Sequence, residues 1–401
     1  MKWQSKRHEF DDYAKQLIAD LDLHNKKYYI FGAGKVGRTL LPVFEAYNYT
    51  IAFIDNSVEK QQDKVNGVKV ISLDYYLRKK DAPIIVAVSI KNTLSIVEQL
   101  EENDLKRGKD YFLYEEFTNY IFPVISTYYY DKVFVSLAQI CVTERCTLKC
   151  RKCAHGCYAV DNRNAKDLTL EQIHKSADSF FGKVDFIREF VLIGGEPLLY
   201  KNLSEAIQYI GKYYRKQIGI FSITTNGTIV PDEEILKVCK RYHVLFRISN
   251  YSRTIPRLNE KYDRLTTKLK EEDIKYVLGS PESEWTDYGF DHFNRHASEE
   301  ELIKVFDACQ TSCREIRENK YYYCVMARSV SENVGFNKGQ EEYLDLDALQ
   351  GEGYKKEFLE FNLGYSEKGY LDMCNFCYGE ERVNYPIPAA EQMRGTSYGQ
   401  Q

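Results

Sequence analysis

The run Cys146-Thr-Leu-Lys-Cys150-Arg-Lys-Cys153 follows the apolar, strand-like segment Val133 to Val142 and gathers three thiols into one short loop. That spacing suits an iron–sulfur cube held by three cysteines with its fourth iron open, because cubes that only carry electrons usually take four. An open iron is a chemical site. Zinc suits a similar spacing, since Cys-x-x-Cys pairs are its commonest signature, so other segments have to decide between the two metals.

The chain has 401 residues, more than one ordinary core holds, and fits two or three domains. Lys plus Arg number 55 and Asp plus Glu 59, a net charge of −4, so no field draws the chain to nucleic acid or anionic lipid. The longest apolar runs, such as Pro83 to Ile90, are strand-sized and far below a membrane span. The start Met1-Lys-Trp-Gln leads into polar sequence and carries no export signal. A cytoplasmic, soluble protein is expected, and in that reducing setting 11 cysteines point to metal or cluster ligation rather than to disulfides.

The fold class expected is α/β. A helix over Asp11 to Asp22 and a strand Lys27 to Phe31 lead into Gly32-Ala-Gly34-Lys-Val-Gly37, which opens a second helix; the strand Ile51 to Ile54 then ends in Asp55. Strand, glycine turn, helix, strand, acid is the order of a Rossmann-like parallel sheet, in which Gly32, Gly34 and Gly37 let backbone approach a pyrophosphate and Asp55 meets a ribose. The same turn also serves geometry alone, so occupation by a nucleotide stays open. Strands Lys69 to Ile71 and Pro83 to Val88, with a helix over Leu94 to Leu100, continue the alternation. The aromatic stretch Tyr111 to Tyr130 is read as a packed connection to the next domain. From Val133 a new series begins: helix Leu170 to Phe180, strand Phe190 to Ile193, helix Leu203 to Tyr214, strand Ile218 to Ile223, helix Glu233 to Arg241 and strand Val244 to Ile248. Repeated β-then-α units imply parallel strands with right-handed crossovers, a full or partial (β/α) barrel with its active face at the strand C-termini. Domain bounds of 1–120, 121–300 and 301–401 follow, the last holding a second cysteine set, with a polar tail after Gln392.

The cysteine loop follows the first strand of this series, the second strand ends Gly194-Gly195-Glu196-Pro197, and the third ends Thr224-Thr225-Asn226-Gly227. In this order the segments resemble the radical S-adenosylmethionine (radical SAM) superfamily over residues 133 to 378. The resemblance implies a four-iron, four-sulfur cluster on Cys146, Cys150 and Cys153, with S-adenosylmethionine on the open iron. It further implies that Gly194 and Gly195 lie against the methionyl group, that Glu196 accepts from its ammonium, and that Thr225 and Asn226 line the same pocket. Ser249 and Asn250, past the end of the fourth strand, are placed for the ribose, and Arg247 for the carboxylate. Taken alone, each glycine-containing segment is an ordinary turn. One departure stands out: the residue before the third cysteine, often an aromatic that packs on adenine in the family, is Lys152.

The second set is Cys309, Cys313, Cys324, Cys374 and Cys377. The spacing Cys309 to Asn319 to Cys324, followed by Cys374-Asn-Phe-Cys377, looks like the auxiliary-cluster domain called Twitch, the shortened relative of SPASM. Asn319 stands where the family usually has a hairpin glycine, and Asn tolerates left-handed backbone. Five thiols compete for four irons: either Cys309 or Cys313 is spare, or one of Cys374 and Cys377 is. A structural zinc on the same residues is the alternative. Outside both sets, Cys141 reads as core, Cys157 and His155 as groups beside the first cluster, and Trp285-Thr-Asp287-Tyr288 with His292 and His296 as a substrate wall.

The function this implies is hydrogen abstraction from a small molecule, with oxidation of a sugar, polyol or nucleotide-sugar carbon, two 4Fe-4S clusters, S-adenosylmethionine, and an electron donor such as flavodoxin or ferredoxin. The rivals are epimerisation with a spare cysteine as hydrogen donor, a peptide-modifying maturase, and a non-catalytic electron-transfer protein.

Overall fold

The computed structural model describes residues 10–21, 23–289, 294–309, 311–336, 342–364, 368–379 and 385–393. Two compact units are present, Ser5–Ser136 with Asp185–Arg188, and Leu137–Val184 with Glu189–Gln401. The division falls between Ser136 and Leu137, so the aromatic stretch Tyr111 to Tyr130 belongs inside the first unit. Its residues Tyr111–Leu113 form an edge strand, and Phe117, Ile121, Phe122 and Ile125 are core.

The first unit is a six-stranded sheet in the order Lys64–Val65, Val68–Ile71, Thr50–Ile54, Lys27–Phe31, Ile84–Val86, Tyr111–Leu113. The pairs are parallel except the outermost, Lys64–Val65 with Val68–Ile71. The strand Lys27–Phe31 explains how it is built. Successive side chains alternate across a strand, and here Tyr28 and Ile30 enter one apolar cluster while Tyr29 and Phe31 enter another. A strand apolar on both faces must be covered on both, which is the layered architecture of a parallel α/β sheet.

In the second unit, five strands occur in sequence order as neighbours: Phe134–Cys141, Phe186–Ile193, Ile218–Thr225, Leu245–Ile248 and Tyr276–Leu278. Helices Leu170–Phe181, Leu203–Tyr214, Glu233–Tyr242 and Asn259–Glu271 connect them in turn. Each helix starts where its sequence allows. Thr169 accepts from the Gln172 N–H while the Gln172 side chain accepts from the Thr169 N–H, a reciprocal cap, and Asp232 accepts from the Ile235 N–H at 2.9 Å. Phe190 packs with tilted rings on Phe180 and Phe181 of the first helix, so Glu189 beside it faces the other side of the sheet. Beyond Phe134–Cys141 the sheet continues through Arg314–Arg317, Lys320–Tyr322 and Tyr343–Asp345. The hairpin joining the first two of these turns on Glu318, with φ +55°, rather than on Asn319. Asn319 instead donates to Asp345 at 2.7 Å and tethers the third strand.

Among the described residues, no helix is long and apolar enough to cross a membrane.

Candidate active site

The loop holding Cys146, Cys150 and Cys153 leaves the C-terminal end of the strand Phe134–Cys141 and is pinned by neighbouring strand ends. Gly195 N–H donates to the Thr143 carbonyl at 2.8 Å and Glu196 N–H to the Arg145 carbonyl at 2.7 Å. A Cβ on Gly194 would meet the Thr143 oxygen at 2.5 Å, and one on Gly195 the Arg145 oxygen at 2.3 Å. The glycines are therefore needed so that the second strand's end can lie against the cysteine loop itself. Glu196 is fully buried. Its Oε1 accepts from Thr225 Oγ1 at 2.8 Å and Leu198 N–H at 3.1 Å, and its Oε2 accepts from Asn226 N–H at 2.8 Å. Burial pushes this carboxyl up to about 7 despite those donors. One carboxylate thus locks the Gly-Gly-Glu-Pro turn to the Thr-Asn-Gly turn. Oε2 keeps a lone pair for a further donor.

The sulfurs sit among N–H groups. Cys146 Sγ accepts from Leu148 N–H at 3.4 Å and lies 3.6 Å from Asn226 Nδ2, and Cys150 Sγ accepts from Gln392 Nε2 at 3.2 Å. Burial pushes the Cys146 thiol up to about 11 and the Cys150 thiol higher still. Cys153 goes the other way, down to about 7, because Cys157 and nearby backbone N–H groups donate to it. Buried sulfurs that accept from N–H donors fit a thiolate-bound cluster, the cofactor that such a loop implies. Ser249 N–H bonds the Thr225 carbonyl at 2.9 Å, and Asn250 caps Ser252, which brings both to the same end of the sheet. Arg247 does not stand free for a carboxylate: it forks onto Glu189, with Nη2 to Oε2 at 2.7 Å, and Ser222 donates to the same acid at 2.9 Å.

Lys152 is explained by its partner. It is buried, with φ +60°, and pairs with Asp287 at 3.1 Å while donating to the Gly289 carbonyl. Asp287 therefore holds the cysteine loop rather than walling a substrate. His296 is exposed, and His292 lies outside the described residues. Burial holds His155 neutral, down to about 4. Cys141, Cys157 and Cys239 are buried.

Of the second set, Cys309, Cys324, Cys374 and Cys377 line one small cavity, together with Val305, Phe306, Tyr323, Met326, Leu371 and Met373. Cys313 does not line it but packs against the apolar cluster that holds Cys324, Cys374 and Cys377, and burial pushes its thiol up. Among the described residues no set of side chains converges as a single-ion site. Four sulfurs around one gap are a donor set that suits a four-iron cluster or a structural zinc. Arg295 braces the Cys374–Cys377 turn by donating to the carbonyls of Cys374 and Cys377 while lying 4.7 Å from the Tyr378 ring. Glu342, buried, accepts from the N–H groups of Asp372 and Met373. Arg295, Glu342 and Gln392 carry no motif, and only contact reveals them.

In the first unit, Gly32 has φ +112° and a Cβ there would strike the Ala87 carbonyl at 2.6 Å, while one on Gly37 would strike the Gly32 oxygen at 2.0 Å. Gly34 faces open space. Both Asp55 oxygens are engaged, by Ala33 N–H, Ser57 N–H and Lys60. Burial pushes that carboxyl up, but these donors outweigh it and hold it below its ordinary value. Two of the glycines and the acid are thus accounted for by the turn's own packing.

Comparison with known proteins agrees with the geometry. Residues 140–279 match the radical SAM superfamily, and residues 1–109 match the NAD-binding domain of D-isomer specific 2-hydroxyacid dehydrogenases. GTP 3′,8-cyclase of Ectopseudomonas mendocina is 33% identical over 94 residues, 23% of this chain and 27% of its own. The Syntrophomonas wolfei enzyme of the same name is 35% identical over 98 residues, 24% and 28% of the two chains. The match thus spans little more than a quarter of these curated relatives. Among solved structures, BtrN in complex with AdoMet and 2-DOIA is 17% identical, covering 63% of this chain and 98% of that one at a TM-score of 0.38. The anSMEcpe enzyme with bound AdoMet is 23% identical, covering 36% and 43% at a TM-score of 0.29. With the cysteine loop, the Gly-Gly-Glu-Pro turn and the Thr-Asn-Gly turn meeting at one sheet end inside the matched segment, residues 140–279 constitute a radical SAM superfamily domain.

Proposed function

We propose that the chain is a radical SAM oxidoreductase with two four-iron clusters, acting on a small hydroxylated molecule such as a sugar, polyol or nucleotide-sugar. The observation that carries this reading is the split of the cysteines: three on the loop locked by Glu196, and four lining a second cavity that Cys313 packs near but does not line. When bound, the first cluster with S-adenosylmethionine supplies a 5′-deoxyadenosyl radical able to take hydrogen from an unactivated C–H bond. The chain's own part is to hold and shield. Cys146, Cys150 and Cys153 would hold three irons, Asn226 and Leu148 steady the Cys146 sulfur, and the remaining lone pair of Glu196 Oε2 would accept from the ammonium of the sulfonium substrate. The hydroxylated substrate class is taken by fold analogy from the Rossmann-like first unit. Cys309, Cys324, Cys374 and Cys377 saturate a four-iron group, the Twitch-like arrangement, and so favour outward passage of an electron over substrate ligation. Flavodoxin or ferredoxin is the class of donor that fits. The match to the cyclases covers too little of either chain to carry their reaction across.

Glu196→Gln, which keeps the size of the side chain and removes its charge, is expected to weaken S-adenosylmethionine binding on the order of 10- to 100-fold at unchanged iron content, the loss of a charged hydrogen bond. Equilibrium dialysis checks it, and an unchanged affinity would leave Glu196 as a turn lock only.

The second reading, epimerisation, is favoured by Cys313, a fifth thiol that does not line the cavity of the other four. Turnover of candidate sugars in deuterated water separates the two. Oxidation leaves no solvent deuterium at the reacting carbon, whereas return of hydrogen from an exchangeable thiol places one there, and its loss in Cys313→Ala would establish the isomerase.

A further inference from the structure

The segment just before the chain's last described residue lies along the cysteine loop as a strap. Pro386–Pro388 pairs antiparallel with Glu284–Thr286. The chain then passes through Ala389 and Ala390, both buried, the latter with φ +59°, a backbone conformation a non-glycine residue rarely adopts unless its surroundings impose it. Beyond that bend it pairs antiparallel with the cysteine loop at Gln392 and Cys150. Arg151 N–H donates to the Glu391 carbonyl at 2.7 Å and Met393 N–H to the Lys149 carbonyl at 2.9 Å. The loop between Cys146 and Cys153 has no helix or strand of its own, so these bonds supply the backbone partners it would otherwise lack.

Gln392 uses both ends of its amide on this loop. Its Oε1 accepts from Lys149 N–H at 2.9 Å, and its Nε2 donates to the Ala390 carbonyl at 2.8 Å and to Cys150 Sγ at 3.2 Å. The amide has only one orientation that satisfies all three: Lys149 N–H demands an acceptor, which turns the NH₂ toward the sulfur. Asn226 and Leu148 donate to Cys146, on the other side of the loop. Gln392 is the side chain that does the same for Cys150.

We propose that the strap 386–393 is a working part of the radical site and that Gln392 is its positioning residue, fixing the loop through Lys149 and setting the reduction potential of the bound cluster through its N–H bond to the Cys150 sulfur. The proposal rests on the cluster reading of Cys146, Cys150 and Cys153. A donor to a ligating sulfur draws electron density from the cluster and stabilises the reduced form, so its removal makes reduction harder.

Two variants separate holding from tuning. Gln392→Glu keeps an oxygen for the Lys149 N–H and loses the donor; Gln392→Leu loses both. The chain is reconstituted with iron and sulfide, its iron content is measured, and the midpoint potential is followed by electron paramagnetic resonance on the signal that changes when S-adenosylmethionine is added. The expected result is near-normal iron content in Gln392→Glu with a potential shifted more negative than wild type, and in Gln392→Leu the same direction of shift with reduced iron content. Equal potentials in wild type and both variants, each carrying the S-adenosylmethionine-responsive cluster, overturn the proposal while leaving the cluster reading intact. A wild type that shows no such responsive signal overturns the reading and the proposal together.

Discussion

Replacing Cys309, Cys324, Cys374 or Cys377 by Ala is expected to cost the reconstituted protein about half its iron, from about eight atoms per chain toward four, whereas Cys313→Ala leaves it near eight. The physical basis is the cavity: four of the five thiols line it, with buried apolar walls from Val305, Phe306 and Met373, and Cys313 does not. On the proposed reading each of the four would be the protein ligand to one iron, so a single loss would open that iron to solvent and destabilise the group, while the three-cysteine loop would keep its own. Iron and sulfide analysis with visible absorption checks this. Zinc in the place of half the iron, or a loss in Cys313→Ala equal to that in Cys324→Ala, would contradict it.

Arg328→Met is expected to destabilise the second unit by about 3–5 kcal/mol, the usual cost of stranding buried charges. Arg328 is fully buried; its Nη1 donates to Glu144 at 2.8 Å and to Glu332 at 3.3 Å, and its Nε pairs with buried Glu315. It stands on the helix Val325–Val334, which Cys324 opens, while Glu144 stands just ahead of Cys146. One guanidinium therefore ties the two cysteine segments together. Denaturant unfolding measures the loss, and Glu144→Gln with Glu315→Gln added to Arg328→Met should recover part of it, since neutral amides no longer need the cation. The pH dependence has opposing parts. Burial pushes Glu315 up to about 7, against its ordinary 4.5, so its share of stability is full in acid and is lost as pH rises through that window. At Glu144 burial also pushes up, but Arg328 and Asn333 outweigh it and hold the carboxyl low, so its share is present at neutral pH and is lost on acidification. Without Arg328 both carboxylates favour the protonated form, and the variant's deficit should shrink as pH falls.

Much of this was legible in the sequence because it is local. The strand Lys27–Phe31 and the helix Leu203–Tyr214 keep the bounds their apolar patterns predict, and the three strand-end motifs meet because parallel β/α units bring consecutive strand ends to one face. What stayed hidden is contact across distance. Arg328 meets Glu144, Gln392 meets Cys150 and Arg295 meets the Cys374 turn, partners separated by 184, 242 and 79 positions, and no periodicity encodes such pairs. Lys152 reads in the sequence as a missing aromatic and in the fold as half of a buried ion pair. Gly194 and Gly195 likewise have a contact that the sequence does not show: the close approach that forbids a Cβ is to the Thr143 and Arg145 carbonyls.

The central claim, that the loop of Cys146, Cys150 and Cys153 works as a catalyst's open cluster and not as an electron carrier's, is tested most directly by incubating the reconstituted, reduced chain with S-adenosylmethionine and analysing the products by liquid chromatography and mass spectrometry. The account predicts 5′-deoxyadenosine and methionine in equal amounts, and neither from the variant carrying Cys146→Ala, Cys150→Ala and Cys153→Ala. A fully loaded, fully reduced protein that leaves S-adenosylmethionine intact would contradict it.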